Sequence, residues 1–123
     1  MKLNRKGFTL MEMLIVVAII AVLVAIMIPT FTSQLEKARE AADIANIRSA
    51  YAEAMVKYIN QDEHDLDANG NVSVTSQTMT QTREGWSSVT WPSYLGDEVT
   101  PVKDDTVTIT VANDGTVSVD IDD

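Results

Sequence analysis

The chain has 123 residues, enough for one domain, and carries 18 acidic against 9 basic side chains, a formal net charge of −9. A general nucleic-acid surface needs clustered Lys and Arg, so we expect no direct nucleic-acid partner. The absence of cysteine excludes disulfides, thiolate metal sites and cysteine catalysis. With a single histidine, His64, and no Gly-x-Ser-x-Gly turn, there is no nucleophile–base arrangement, and we do not expect an enzyme.

The N-terminus combines a basic leader with an apolar segment of membrane length. Three basic residues precede Gly7, and from Phe8 to Ile28 only Thr9 and Glu12 are polar. These 21 positions would form a helix of about 31 Å, close to the hydrocarbon thickness of a bilayer. A carboxylate inside such a segment costs roughly 2.5–3.5 kcal/mol on insertion scales, so Glu12 is a candidate functional residue.

Three interpretations of this segment compete. A secretory signal peptide fits poorly, because the apolar run after Glu12 is 16 residues long and no small-residue cleavage site follows it. An uncleaved signal anchor fits the length and the basic flank but gives no reason for Glu12. In the third interpretation, cleavage after Gly7 on the cytoplasmic side gives Phe8 a free amine four residues before Glu12. An ion pair with that amine, or with the amine of a neighbour, would offset much of the burial cost.

The stretch from Lys6 to Ile20 resembles the leader junction and N-terminal helix of type IV pilins and pseudopilins. The resemblance implies a prepilin peptidase/N-methyltransferase that cleaves after Gly7 and methylates Phe8. It also implies that Glu12 is the family's glutamate, which we expect to pair with the Phe8 amine of a neighbouring subunit during assembly. The family's helix-kinking proline corresponds to Pro29.

From this resemblance we expect a structural subunit of a type IV pilus or pseudopilus-like filament. Its partners would be other copies of itself, minor pilins, an inner-membrane assembly platform and the lipid bilayer. The basic leader predicts a cytoplasmic N-terminus and a head outside the membrane, followed by an extracellular or periplasmic filament. Two alternatives stay open: a pseudopilin of a protein-secretion or DNA-uptake machine, and a single-pass anchored binding domain that does not polymerise.

A second, amphipathic helical segment follows the apolar one. Residues 30–60 contain no glycine and repeat apolar positions at spacings of three and four, including a stripe from Ile44 to Tyr58. Glu36 with Arg39, and Glu53 with Lys57, have the spacing of helical ion pairs. We interpret the charged residues between the apolar stripes as a solvated face: Glu36, Lys37, Arg39, Glu40, Asp43, Arg48, Glu53 and Lys57.

The rest of the chain predicts a small β-rich head. Residues 106–111 and 116–121 alternate apolar and polar side chains around a turn at 113–115, which predicts a hairpin. An isolated hairpin is marginally stable, so we expect the Ile44–Tyr58 stripe to cover its apolar face, giving an α+β fold. The predicted segments are a cytoplasmic leader (1–7), a transmembrane and filament-core helix (8–28), an amphipathic helix (29–60) and the head (61–123).

An acidic loop between helix and head is the one candidate metal site. Asp65, Asp67, Asn69 and Gly70 match the first positions of an EF-hand calcium loop. The twelfth position is Ser76 instead of a bidentate glutamate, and we expect a strand where an EF-hand has a helix. We therefore weigh a Ca²⁺ ion at Asp65, Asp67 and Asn69, with no other cofactor, against a polar loop that ends the helix.

Overall fold

The computed structural model describes residues 7–122, which form one long helix and a three-stranded antiparallel sheet. The predicted α+β class is confirmed. The basic residues of the predicted leader lie outside the described residues. The elements are α1 (Leu10–Asn60), β1 (Val72–Thr75), β2 (Thr106–Val111) and β3 (Val117–Asp122), with a short 3-10 helix at Ser93–Leu95.

The chain divides into two compact units, one ending at Gln34 and the other beginning at Leu35. α1 crosses this division, and its helical conformation includes Pro29. Proline removes one backbone donor from a helix and crowds the preceding turn. Two hydroxyls near Pro29 donate to backbone carbonyls: Thr30 to Ile26 at 3.3 Å and Thr32 to Pro29 at 3.0 Å. A kink at Pro29 stays a prediction.

In the first unit, the helix presents its apolar side chains at the surface. Every residue from 7 to 32 is exposed. α1 contains a stretch near the N-terminus that is long and apolar enough to cross a membrane, and none of that stretch is buried within the protein. Since this part of α1 has no core of its own, its stability in water must be low, and a lipid or protein environment has to cover it.

In the second unit, α1 packs on one face of the sheet. β2 is the central strand, and its Ile109 lies opposite Val74 of β1 and Val119 of β3, so the apolar side chains of all three strands share a face. The predicted hairpin, the shared apolar face of its strands and its cover by α1 are confirmed. The fully or largely buried core consists of Ile44, Ile47, Ala50, Ala54, Val72, Val74, Met79, Leu95, Val107, Ile109 and Val111.

The connection between β1 and β2, residues 76–105, contains only the short 3-10 helix as regular structure. Three carboxylates of α1 are buried beneath it: Glu36 is 4% exposed, and Glu40 and Asp43 are 0% exposed. We call them the anchor carboxylates. The interpretation of the charges on α1 as a solvated face is therefore wrong at these three positions. They fall on the same helical stripe as Ile47, at spacings of four, three and four, so they face the head.

Candidate functional site

Gly7 and Phe8, the predicted cleavage pair, lie before α1 without regular secondary structure. The side chain of Phe8 is 81% exposed. Among residues 7–122, a Cβ atom added at Gly7 would meet no other atom within 4 Å. The described part of the chain therefore gives no steric reason for glycine at position 7.

Glu12 forms a helix-capping interaction with Thr9. The Thr9 amide donates to Glu12 Oε2 at 2.8 Å, and the Glu12 amide donates to Thr9 Oγ1 at 3.2 Å. These reciprocal bonds make a capping box, which satisfies two of the amides left without partners at a helix N-terminus. The sequence signal is Thr-x-x-Glu before an apolar run, and the sequence interpretation missed it. Glu12 therefore has a local structural role in the uncleaved chain, including in a chain that is only an anchor.

The capping box also directs the Glu12 carboxylate toward the start of the helix, where the helix dipole favours negative charge. Thr9, whose amide it accepts, is the neighbour of Phe8 in the chain. In the described chain the Phe8 nitrogen is in a peptide bond with Gly7. The predicted pair between Glu12 and a Phe8 amine requires cleavage, and it stays a prediction.

The anchor carboxylates hold the β1–β2 connection on α1 through backbone amides and hydroxyls. Both Asp43 oxygens accept the Thr80 amide, at 3.0 and 2.9 Å, and Oδ2 also accepts the Gln81 amide at 2.8 Å. Glu36 accepts the amides of Thr82 and Arg83 at 2.5 and 2.8 Å and the Thr82 hydroxyl at 2.7 Å. Residues 80–83 are therefore fixed by charge-assisted bonds, which are stronger than those between neutral groups.

Glu40 accepts four such bonds from two consecutive serines. It accepts the amides of Ser87 and Ser88 at 3.1 and 2.8 Å, and their hydroxyls at 2.7 and 2.6 Å. Burial alone would raise the pKa of Glu40, but these bonds outweigh it and hold the pKa below its ordinary value. The pKa of Glu36 is lowered in the same way, with burial opposed by bonds from Thr82, Arg83 and Arg39. Both groups are thus held as carboxylates at neutral pH.

The expected ion pairs on α1 are present. Arg39 Nη1 lies 3.4 Å from Glu36 Oε2, and Lys57 Nζ lies 3.1 Å from Glu53 Oε1. Lys57 also reaches Asp65 Oδ1 at 3.6 Å, which ties the end of the helix to the acidic loop. These contacts are partly exposed and contribute little stability individually.

In the acidic loop, two of the three predicted calcium ligands, Asp65 and Asp67, already have partners within the chain. Asp67 accepts the amides of Asn69 and Asn71 at 2.8 and 2.9 Å and the Asn71 side-chain amide at 3.1 Å. Asp65 is paired with Lys57. Among residues 7–122, no three His, Asp or Glu side chains converge as a metal site would require. As arranged, Asp67 closes the loop, and calcium binding there stays a prediction.

Comparison with known proteins concerns the N-terminal segment most directly. Residues 2–28 match the family described as the prokaryotic N-terminal methylation motif. The chain is 47% identical over 58 residues to the type IV narrow pilus major component PilA5 of Thermus thermophilus, which covers 45% of this chain and 50% of that protein. It is 39% identical over 70 residues to the type IV wide pilus major component PilA4 of the same species, which covers 57% of this chain and 48% of that protein. No solved structure matches the chain significantly.

The matched stretches account for about half the length of each of these relatives, so the chain spans only part of them. Gly7, Phe8 and Glu12 all lie within the matched motif. The resemblance to type IV pilins is thus confirmed: the chain carries a prokaryotic N-terminal methylation motif and is homologous to major components of type IV pili over about half of its length.

Proposed function

We propose that the chain is a structural subunit of a type IV pilus, inserted in the membrane as a precursor, cleaved after Gly7 and polymerised through α1. The observation that carries this proposal is the methylation motif at residues 2–28, on an apolar helical segment that is exposed throughout its length. Such a segment needs cover, which a bilayer supplies before assembly and neighbouring helices supply afterwards. The relatives' names favour a pilus over a secretion or DNA-uptake pseudopilus.

The charges of the leader set the proposed orientation. Lys2, Arg5 and Lys6 precede the apolar segment, and basic residues beside a membrane span stay on the cytoplasmic side. The bond between Gly7 and Phe8 would then face a cytoplasmic peptidase/N-methyltransferase, and the head would lie outside the membrane. An inner-membrane assembly platform and minor pilins complete the proposed set of partners.

Assembly would use the charge that cleavage creates. Hydrolysis of the Gly7–Phe8 bond gives Gly7 a carboxylate and Phe8 a basic amine, and N-methylation leaves that amine protonated. An unpaired charge among apolar helices is costly, so the register in which Glu12 meets a neighbour's amine is favoured. Glu12 Oε2 already accepts the Thr9 amide. Because a carboxylate accepts several hydrogen bonds, Glu12 can keep its capping bond and bind the amine as well.

Mass spectrometry of the membrane and filament fractions tests this function. The filament protein should begin at an N-methylated Phe8. The variant Gly7→Leu should keep its leader and stay in the membrane, because no steric clash is expected at position 7 and only recognition by the peptidase changes. Glu12→Ala should still be cleaved but form few filaments, which separates processing from assembly. A chain recovered only in membranes, with its leader intact, would support the anchored binding domain instead.

A further inference from the structure

The outer surface of the second half of α1 is positive in a strongly negative protein. Glu36, Glu40 and Asp43 are buried, whereas Lys37 and Arg48 are exposed. Within residues 7–122, neither Lys37 nor Arg48 forms an ion pair. Residues 35–60 of the helix have four acidic and four basic side chains. Burial of the three anchor carboxylates therefore leaves two unpaired cations on its outer surface.

These two cations share one face with small side chains. The residues Lys37, Ala41, Ala45, Arg48 and Ala52 are spaced by four, four, three and four positions, which places them in one stripe, and all are exposed. We call this stripe the cationic helix face. The alanines lose no side-chain entropy on contact. They also leave the two long cationic side chains as the most prominent groups of the face.

The rest of the mature surface is dominated by carboxylates. Without its leader the chain keeps 6 basic and 18 acidic side chains, a formal charge of −12. The three strands contain no Lys or Arg, and β3 exposes Asp120 and Asp122. The connection from 76 to 105 exposes further acids at Asp97 and Glu98. Copies with this charge repel one another unless cations of one meet anions of another.

We propose that the cationic helix face binds surface carboxylates of a second copy of this chain within the filament. This inference rests on the proposed pilus function. Contact between two identical cationic faces would set Lys37 and Arg48 of both copies against each other, which costs energy. A contact between this face and a different, acidic surface avoids that repulsion and can repeat from copy to copy, as the heterologous contacts of a filament do. Charge complementarity therefore favours a cationic-to-acidic contact over a contact between two cationic faces.

Carbodiimide coupling, which joins an amine to a carboxylate in direct contact, tests this contact in filaments of the full chain. Filaments are assembled from a mixture of ¹⁴N- and ¹⁵N-labelled copies, so that links between copies carry mixed isotopes. Lys37 should be linked to an Asp or Glu of another copy. Lys103, which lies 3.6 Å from Asp104 of its own chain, reports that the reaction works. If Lys103 reacts and Lys37 gives no mixed-isotope product, the proposal is wrong.

Filament yield gives a second measurement. Arg48→Glu should lower the yield by about tenfold or more, because a like charge then faces the carboxylates of the neighbour. Arg48→Lys keeps the charge and should restore assembly. Lys103→Glu is the matched control, since Lys103 is exposed and paired locally. If wild type makes no filaments, the pilus function itself fails. If wild type and Arg48→Glu assemble equally, only the cationic helix face is refuted.

Discussion

The two halves of α1 satisfy their carboxylates in opposite ways. Glu12, in the exposed apolar half, accepts one amide from Thr9, three positions away in the chain. Glu40, in the half that packs on the head, accepts four bonds from Ser87 and Ser88, 47 and 48 positions away. The first arrangement needs only a local sequence, whereas the second needs the folded head. The apolar half of the helix is therefore left uncovered by the rest of the described chain, whereas the second half is covered by the head.

The largest effect that this comparison predicts is on Glu40. In Glu40→Ala, the amides and hydroxyls of Ser87 and Ser88 lose their charged acceptor. A hydrogen bond to a charged group contributes about 1.5–3 kcal/mol. We expect the head to lose about 3 kcal/mol or more of unfolding free energy. Urea unfolding of the full chain in detergent, followed by near-UV circular dichroism of Trp86 and Trp91, measures this loss.

Glu53→Ala is the matched control for that substitution. Glu53 is exposed on the same helix and pairs with Lys57, so its removal should cost less than about 1 kcal/mol. Equal losses in Glu40→Ala and Glu53→Ala would show that the buried bonds do not hold the connection on the helix.

Acid should weaken the head through the same anchors. The pKa values of Glu36 and Glu40 are lowered in the folded protein from an ordinary value of 4.5. Their contribution to stability is therefore fully present above about pH 4.5 and is lost as the pH falls through the folded pKa values. The unfolding free energy should be steady from neutral pH to about pH 5 and fall below that.

A double variant, Glu36→Gln with Glu40→Gln, isolates this effect. It should be less stable than wild type at neutral pH. Each Gln side chain places an NH₂ donor where a carboxylate oxygen had accepted bonds from the amides and hydroxyls of the connection. The decline on acidification should also be shallower, since two of the titrating groups are gone. If the unfolding free energy of the double variant fell with pH as steeply as that of wild type, other carboxylates would be responsible for the acid sensitivity.

These anchors mark the limit of what the sequence predicted. The hairpin at 106–121 followed from local alternation, and its cover followed from the spacing between Ile44 and Tyr58. The capping box of Thr9 and Glu12 was missed, although its four-residue pattern is present in the sequence. The burial of Glu40 has no such local pattern, and a charged residue on a helix is most often solvated. The groups that donate to Glu40 belong to Ser87 and Ser88, in an irregular connection whose path only the tertiary structure gives.

A smaller effect is expected at the other end of α1. Thr9→Ala removes the capping hydroxyl, which typically costs about 1 kcal/mol in helix stability. Amide hydrogen exchange of residues 9–13 in detergent should speed up by about fivefold, while the unfolding of the head stays unchanged. Thr30→Ala is the control, because Thr30 lies inside the helix and is not a cap. Loss of head stability in Thr9→Ala would contradict the independence of the two halves.

The smallest effect concerns the acidic loop. Backbone bonds from Asn71 and Asn69 already lower the pKa of Asp67, so a Ca²⁺ ion would compete with donors that are in place. We expect weak binding, with a Kd of about 10⁻⁴–10⁻³ M. At a calcium concentration equal to Kd, the head would gain only about 0.4 kcal/mol. Isothermal titration of the full chain in detergent should give heat that Asp67→Ala lacks and that Glu53→Ala keeps. If the parent chain gives no heat, it does not bind calcium under these conditions. The role of Asp67 would then be the one that its bonds show, which is to close the loop between helix and sheet.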